Sequence, residues 1–185
     1  MSRAELQPAP PDAPDPVPTP WESAAPLVRA AQAGDTLALN DLLELLLPYV
    51  GRLCRPIARE ESADAVQEVL IVVFRRIRDL RDPSALYGWV RTITVREAVR
   101  VSRRAARETP VPEVGDRPLP TDAELAGDVH DVLRRLSPEH RAILVLRELE
   151  GLSEQSAGQV LGLARGTVKS RLSRARSSFR TAWTT

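Results

Sequence analysis

Hydrophobic residues recur at intervals of three and four along most of the chain, as they do on one face of an amphipathic α-helix. The clearest stripe consists of Val66, Val69, Leu70, Val73, Ile77 and Leu80. Its polar neighbours fall on the opposite side of the same helix. No segment alternates hydrophobic and polar residues as a half-buried strand does. The pattern therefore predicts an all-α protein.

Proline interrupts the helical patterns in two places, because it removes a backbone donor and blocks helix interiors. Half of the 16 prolines lie within the first 26 residues, and four more lie between Glu108 and Asp122. These stretches predict a disordered, proline-rich tail over residues 1–24 and a flexible linker over residues 108–123. Two small helical domains are then expected, over residues 25–107 and 124–185.

Local signals also predict where several helices begin and end. The first apolar stripe is broken at Gly34 and Asp35 and is expected to end near Pro48. Ser137 is a good N-cap and Pro138 a good first helical residue, because the missing N–H of proline would be unpaired there anyway. A helix is therefore expected to begin at this pair.

The segment from Glu154 to Ser173 has the pattern of a helix-turn-helix motif. Gly158 is the small residue needed where two helices touch, and Gly162 can adopt positive φ in the turn without a Cβ clash. Taken alone, this pattern fits an ordinary helical hairpin equally well. The apolar residues expected to close the junction are Ala157, Val160, Leu161, Leu163, Val168 and Leu172.

Charge distribution favours DNA binding over the ordinary hairpin. The whole chain has a formal net charge of +1, whereas six basic residues against a single glutamate give the segment from Leu152 to Thr185 a formal charge of +5. Clustered positive charge on one helix is typical of proteins that contact phosphate groups. The segment is therefore predicted to bind DNA.

Other functional classes lack support in the sequence. Cys54 is the only cysteine, and neither His130 nor His140 lies at metal-ligand spacing, so no metal site or other cofactor is expected. The absence of phosphate-loop and catalytic-triad motifs predicts a protein that is not an enzyme. No apolar run approaches the roughly 20 residues of a membrane span. With no signal-peptide profile at the N-terminus, a cytoplasmic protein without membrane insertion is expected.

The ordered motifs resemble the bacterial sigma-70 superfamily, specifically the compact extracytoplasmic-function (ECF) sigma factors that retain domains two and four. Ala63 to Ile77 is similar to the region 2.2 helix, and Asp82 to Arg104 to regions 2.3 and 2.4. Leu136 to Arg176 is similar to regions 4.1 and 4.2. The resemblance implies sigma domain 2 over residues 25–107 and sigma domain 4 over residues 124–185.

The resemblance also implies partners. These are the bacterial RNA polymerase core, through its β′ clamp helices and β flap, promoter DNA, and an anti-sigma factor. The implied polymerase contacts are Asp64, Gln67 and Glu68. The implied contacts to the minus-10 element are Arg96, Arg100, Arg103 and Arg104. The implied contacts to the minus-35 element are Arg165, Lys169, Ser170, Arg171, Ser173, Arg174 and Arg176, of which Arg171 and Arg176 could instead meet a neighbouring helix.

One departure from the family pattern concerns the minus-10 element. Family members commonly have Asn followed four residues later by Asp where this chain has Arg96 and Arg100. Because the Asn helps to receive an extruded base, base capture at this position is open to two interpretations. An arginine could stack on or hydrogen-bond to a flipped base and alter the preferred sequence, or the function could be lost.

Two alternative functions remain consistent with the residues. A stand-alone helix-turn-helix regulator would bind duplex DNA without polymerase. A helical adaptor would bind polymerase or an anti-sigma protein without reading DNA, and it would tolerate loss of Lys169 and Arg174.

Overall fold

The computed structural model describes residues 20–108 and 129–184, and all regular structure in these ranges is helical. The all-α prediction is thus confirmed for the described residues. Residues 20–108 form an N-terminal unit of four helices. These are α1 (Pro20–Ala33), α2 (Thr36–Ala58), α3 (Ser62–Arg76) and α4 (Leu86–Glu108). The predicted linker, apart from Glu108, and most of the predicted tail lie outside the described residues.

Helix boundaries in this unit differ from the sequence predictions in two places. α1 begins at Pro20, inside the predicted tail, and already buries Ala24 completely. α2 continues through Pro48 to its end instead of stopping near the proline. Pro48 lies on the exposed side of α2, while Leu46 and Val50 on either side of it are fully buried. Apolar burial on the opposite face thus offsets the missing backbone hydrogen bond.

Short turns set the connections between these helices. At the predicted break, Gly34 has φ of 101°, and the Asp35 side chain then accepts hydrogen bonds from the first amides of α2. This break is therefore confirmed. Before α4 the chain forms a turn of 3₁₀-helix capped by Asp82, whose carboxylate accepts from the amide and hydroxyl of Ser84.

Residues 129–184 form a C-terminal unit. Helical residues 129–134, termed α5, are followed by α6 (Pro138–Leu144), α7 (Glu154–Leu161) and α8 (Arg165–Trp183). Ser137 caps α6 as predicted, accepting from an amide of its first turn, and Ser153 caps α7 in the same way. A π-helical turn over Val145–Leu149 extends α6, a feature that the apolar spacing does not predict.

The helix-turn-helix junction has the predicted geometry. Gly162 ends α7 with φ of 66°, and Val168 of α8 is fully buried. A Cβ atom at Gly158 would lie only 2.7 Å from the carbonyl oxygen of Leu163. Close contact between α7 and the turn therefore depends on the missing side chain. Of the six predicted junction residues, Leu161 and Leu163 are half-buried and the others are buried.

The two units pack against each other, which local sequence patterns do not predict. α6 lies against α2 and α4, and α7 lies against α4. Buried residues of both units, including Ile57 of α2 and Ile143 of α6, belong to one continuous hydrophobic core. The predicted DNA-binding helices therefore come from two units that are in contact.

Replacing Gly158 with alanine should destabilise the C-terminal unit, because the added methyl group would collide with backbone rather than with a movable side chain. Overpacking of this kind costs about 1–3 kcal/mol. Gly51→Ala in α2 is the matched control, since a Cβ there meets nothing within 4 Å. The control should keep or gain stability, by up to about 1 kcal/mol from helix propensity. Urea unfolding of both variants measures the difference, and equal changes would contradict the close-contact account.

Candidate nucleic-acid interface

α8 presents a polar face to solvent because its apolar residues face the remainder of the C-terminal unit. Val168, Leu172 and Ala175 are buried. The residues predicted to contact the minus-35 element occupy the other side. Exposed among them are Arg165, Lys169, Ser170, Ser173, Arg174 and Arg176, while Arg171 is half-buried. The residues predicted to contact the minus-35 element therefore lie on the solvent side of α8, with Arg171 at its edge.

Two of these arginines also have acidic partners inside the C-terminal unit. The Arg176 guanidinium donates to Glu148 at 2.8 and 3.1 Å. This contact agrees with the alternative that Arg176 meets a neighbouring helical segment rather than DNA. Arg165 lies 3.6 Å from Glu154 at the start of α7. Both are largely exposed ion pairs, which contribute little to stability and exchange easily for other anions.

The electrostatic environment of His140 reflects the density of positive charge near α8. Its pKa lies below the ordinary value for histidine because of burial, with further lowering by the charges of Arg174 and Arg171. The N-terminus of α8 adds to this field, since helix N-termini carry partial positive charge. Ala164 precedes α8 and provides no side-chain cap, unlike the serines before α6 and α7. The face is therefore suited to an anion.

A second cationic surface follows α4 and is termed the arginine row. It consists of Arg96, Arg100, Arg103 and Arg104, the residues predicted to contact the minus-10 element. Together with Val99 and Arg107 they line an open groove of about 510 Å³. The spacing of three and four residues places them along one side of the helix.

Every member of the arginine row is hydrogen-bonded or ion-paired to a neighbouring group. Arg96 donates to the carbonyl oxygens of Val160 and Gln159, at 3.0 and 3.5 Å. The partners of the other three arginines are carboxylates. Arg100 pairs with Glu97 at 2.6 Å and with Glu68 at 3.2 Å, Arg104 lies 3.9 Å from Glu68, and Arg103 donates to Glu139.

The α3 face holds the predicted polymerase contacts. Asp64 and Gln67 are exposed, whereas Glu68 is half-buried and lies against the arginine row. Two apolar residues that sequence reasoning missed continue the line of Asp64 and Gln67. They are Ile71, 38% exposed, and Phe74, 57% exposed. The sequence could have indicated that both residues share the face of Gln67, because they lie outside the buried stripe and at helical spacing from Gln67.

Other kinds of site find no support within the part of the chain that the structure describes. No group of three or more His, Cys, Asp or Glu side chains is arranged to hold a metal ion there. Cys54 is buried, and burial raises the pKa of its thiol to about 12. Within residues 20–108 and 129–184, no helix has the length and apolar character needed to cross a membrane.

Both units match known protein-family models. Residues 40–108 match the family model for sigma-70 region 2, and residues 126–178 match the model for sigma-70 region 4. The first match includes α3 and α4, and the second includes the helix-turn-helix. Both cationic surfaces thus lie within recognised sigma-factor regions.

Individual relatives agree with this assignment. The chain is 34% identical to the ECF RNA polymerase sigma factor SigE of Mycolicibacterium smegmatis, over 80% of this chain and 63% of that protein. It is 33% identical to the ECF RNA polymerase sigma factor SigM of Mycobacterium tuberculosis, over 84% of this chain and 82% of SigM.

A solved structure gives the same result for the fold. The sigma factor RpoE of Bartonella quintana, in complex with the anti-sigma factor NepR, superposes with a TM-score of 0.59 at 26% identity, over 77% of this chain and 94% of that chain. Sequence and structure therefore agree on the same group of proteins. This chain belongs to the ECF family of RNA polymerase sigma factors.

Proposed function

We propose that the chain directs promoter recognition as the specificity subunit of RNA polymerase, by binding the core enzyme and two separate DNA elements. The observation that supports this proposal best is the presence of two cationic helices, α4 and α8, on different units of one chain. A single-site regulator needs only one such helix. Catalysis of RNA synthesis then belongs to the polymerase, and the chain acts in the cytoplasm.

Contact with the minus-35 element is assigned to α8. The second helix of a helix-turn-helix enters the major groove with its N-terminal part toward the base edges. Lys169, Ser170 and Arg174 are exposed on that helix. Arginine and lysine can pair with guanine or phosphate, and serine can pair with either. Ala164 gives the start of α8 no side-chain cap, and we propose that the free amides of this first turn meet a phosphate group.

Contact with the minus-10 element is assigned to the arginine row of α4. An open groove lined with guanidinium groups favours the phosphates of a strand, and arginine also stacks on bases. Because Arg96 and Arg100 replace the family Asn and Asp, we propose that this chain holds the minus-10 strand through charge and stacking. Its preferred minus-10 sequence should therefore differ from that of relatives with the Asn.

Binding to the polymerase core is assigned to the α3 face, where Asp64 and Gln67 are flanked by Ile71 and Phe74. Exposed apolar side chains beside polar ones are typical of protein interfaces. The β′ clamp helices are the proposed partner of this face, and the β flap is the proposed partner of the C-terminal unit. We also propose an anti-sigma factor, because the similar Bartonella protein was solved with one.

Reconstituted transcription tests the function as a whole. The chain added to core polymerase should produce defined transcripts from promoter fragments of its own genome, and neither component should do so alone. Duplex binding without any transcript would favour the stand-alone regulator. Polymerase binding without dependence on Lys169 or Arg174 would favour the adaptor.

Replacing Lys169 and Arg174 together with alanine should weaken minus-35 binding by at least about tenfold, since each base or phosphate contact contributes about 1–3 kcal/mol. Arg29→Ala with Arg81→Ala is the matched control, because it removes two exposed charges from the N-terminal unit. Fluorescence anisotropy with a duplex carrying the minus-35 element measures the affinity. Equal losses in both double variants would remove the assigned role of α8.

Asp64→Arg should weaken association with core polymerase by about tenfold or more, as charge reversal does at interface positions. Asp64 is the better target than Glu68, because reversing Glu68 would also release Arg100 and Arg104. Asp41→Arg, at an exposed position on α2, is the control. Minus-35 binding should be unchanged in both variants. Equal polymerase affinity of the two variants would show that the α3 face has no part in binding.

A further inference from the structure

A groove of about 330 Å³ lies where the turn between α1 and α2 meets the end of α3. Apolar side chains form much of its wall. They include Leu39, Ile77 and Phe74, and Phe74 is 57% exposed. On the side of the turn the groove is lined by Gly34, which has no side chain to fill it. The groove therefore leaves apolar surface in contact with water, which is unfavourable unless another segment covers it.

Two arginines of α3 give this groove a positive charge. Arg75 and Arg78 both line it, and both are exposed. Neither has an ion-pair partner within residues 20–108 and 129–184, unlike the members of the arginine row. The lining also includes Asp35, but its carboxylate already accepts hydrogen bonds from two amides at the start of α2. The groove is therefore suited to a segment that carries both apolar and acidic side chains.

The first 19 residues of the chain have this composition. Three acidic residues against one arginine give them a formal charge of −2, and six prolines lie among them. Proline-rich segments favour the extended polyproline II conformation, in which three residues complete a turn. Asp12 and Asp15 would therefore lie on the same edge of such a segment. Proline-rich segments of this kind bind grooves that expose aromatic side chains.

The length of this tail allows it to reach the groove. α1 begins at Pro20, so Gly34 lies about 21 Å further along at 1.5 Å per residue. Asp12 precedes Pro20 by eight residues, which span about 25 Å at 3.1 Å per residue. A tail that turns back along α1 would therefore bring the part around Asp12 level with the groove.

We propose that this groove binds the chain's own N-terminal tail. Asp12 and Asp15 pair with the two arginines of the groove, and the neighbouring prolines cover Phe74. Phe74 also belongs to the proposed polymerase face, so the tail and core polymerase compete for it. The competition rests on the proposed function, whereas docking of the tail on the free chain does not. Docking raises the dissociation constant for polymerase by the inverse of the fraction of molecules whose groove is free.

The distance between the tail and the groove, measured in the free full-length chain, tests docking. Spin labels at Ala9→Cys in the tail and at Asp41→Cys, an exposed position on α2, report this distance in a Cys54→Ser background. Pulsed electron paramagnetic resonance should give a narrow distribution at low salt. About 1 M NaCl, which shortens the Debye length to about 3 Å, should broaden the distribution and shift it to longer distances.

Neutralising the groove separates its contribution from general electrostatics. Arg75→Gln with Arg78→Gln should release the tail, so that the broad, longer distribution is already present at low salt. The matched control is Arg55→Gln with Arg180→Gln, which removes two exposed arginines that lie outside the groove. Both double variants have the same net charge. The control should keep the narrow distribution.

Neutralising the tail tests the same contact from the other side and alters no residue of the described helices. Asp12→Asn with Asp15→Asn should release the tail to the same extent. It should also tighten binding to core polymerase, about fivefold for a tail that is docked four-fifths of the time. Asp41→Asn with Asp131→Asn, at two exposed positions, is the charge-matched control and should leave polymerase affinity unchanged.

The outcomes separate docking from the proposed function. Equal distance distributions in the groove variant and its control would overturn docking. A narrow distance between molecules that carry the Asp41→Cys label alone would show a second copy in the groove, and would overturn the tail as its occupant. A released tail with unchanged polymerase affinity would overturn the competition. Absence of polymerase binding in every variant would overturn the proposed function, while the tail distances would still support docking.

Discussion

The buried guanidinium of Arg141 is the interaction on which the relation between the two units depends. A cation out of water is tolerated only when its donors are satisfied, and Arg141 donates to groups of both units. Leu136 and Leu133 accept from it within the C-terminal unit, and Ile57 and Ser102 accept from it across the interface. Burial, together with the charge of Arg59, lowers its pKa to about 10, so the group is still charged at neutral pH. Separating the units leaves this cation without two of its acceptors unless water or a partner replaces them.

The same principle applies to the arginine row. Each of its guanidinium groups is hydrogen-bonded or ion-paired in this structure, so binding a DNA strand would exchange one set of acceptors for another. Such an exchange has a small net energy because the ion pairs of the row are about half exposed. Glu68 pairs with Arg100 and Arg104, so one of the predicted polymerase contacts on α3 also belongs to the ion pairs of the arginine row.

Local sequence signals predicted most of the helices and the helix-turn-helix junction, because caps, turn glycines and apolar spacing act over a few residues. Gly162 and Ser137 have the predicted roles for that reason. The passage of α2 through Pro48 was missed, since its cause is burial against distant helices. The contacts of Arg141, Glu139 and Glu150 with the N-terminal unit were missed as well. Their partners lie from tens of residues to about a hundred residues away along the chain, and no periodic pattern records such contacts.

The distance between the two units, measured in the free chain, tests the account most directly. Spin labels at Asp41→Cys and Ser177→Cys, in a Cys54→Ser background, occupy exposed positions on α2 and α8. Pulsed electron paramagnetic resonance should give one short, narrow distance distribution for the free chain. A broad distribution would contradict it.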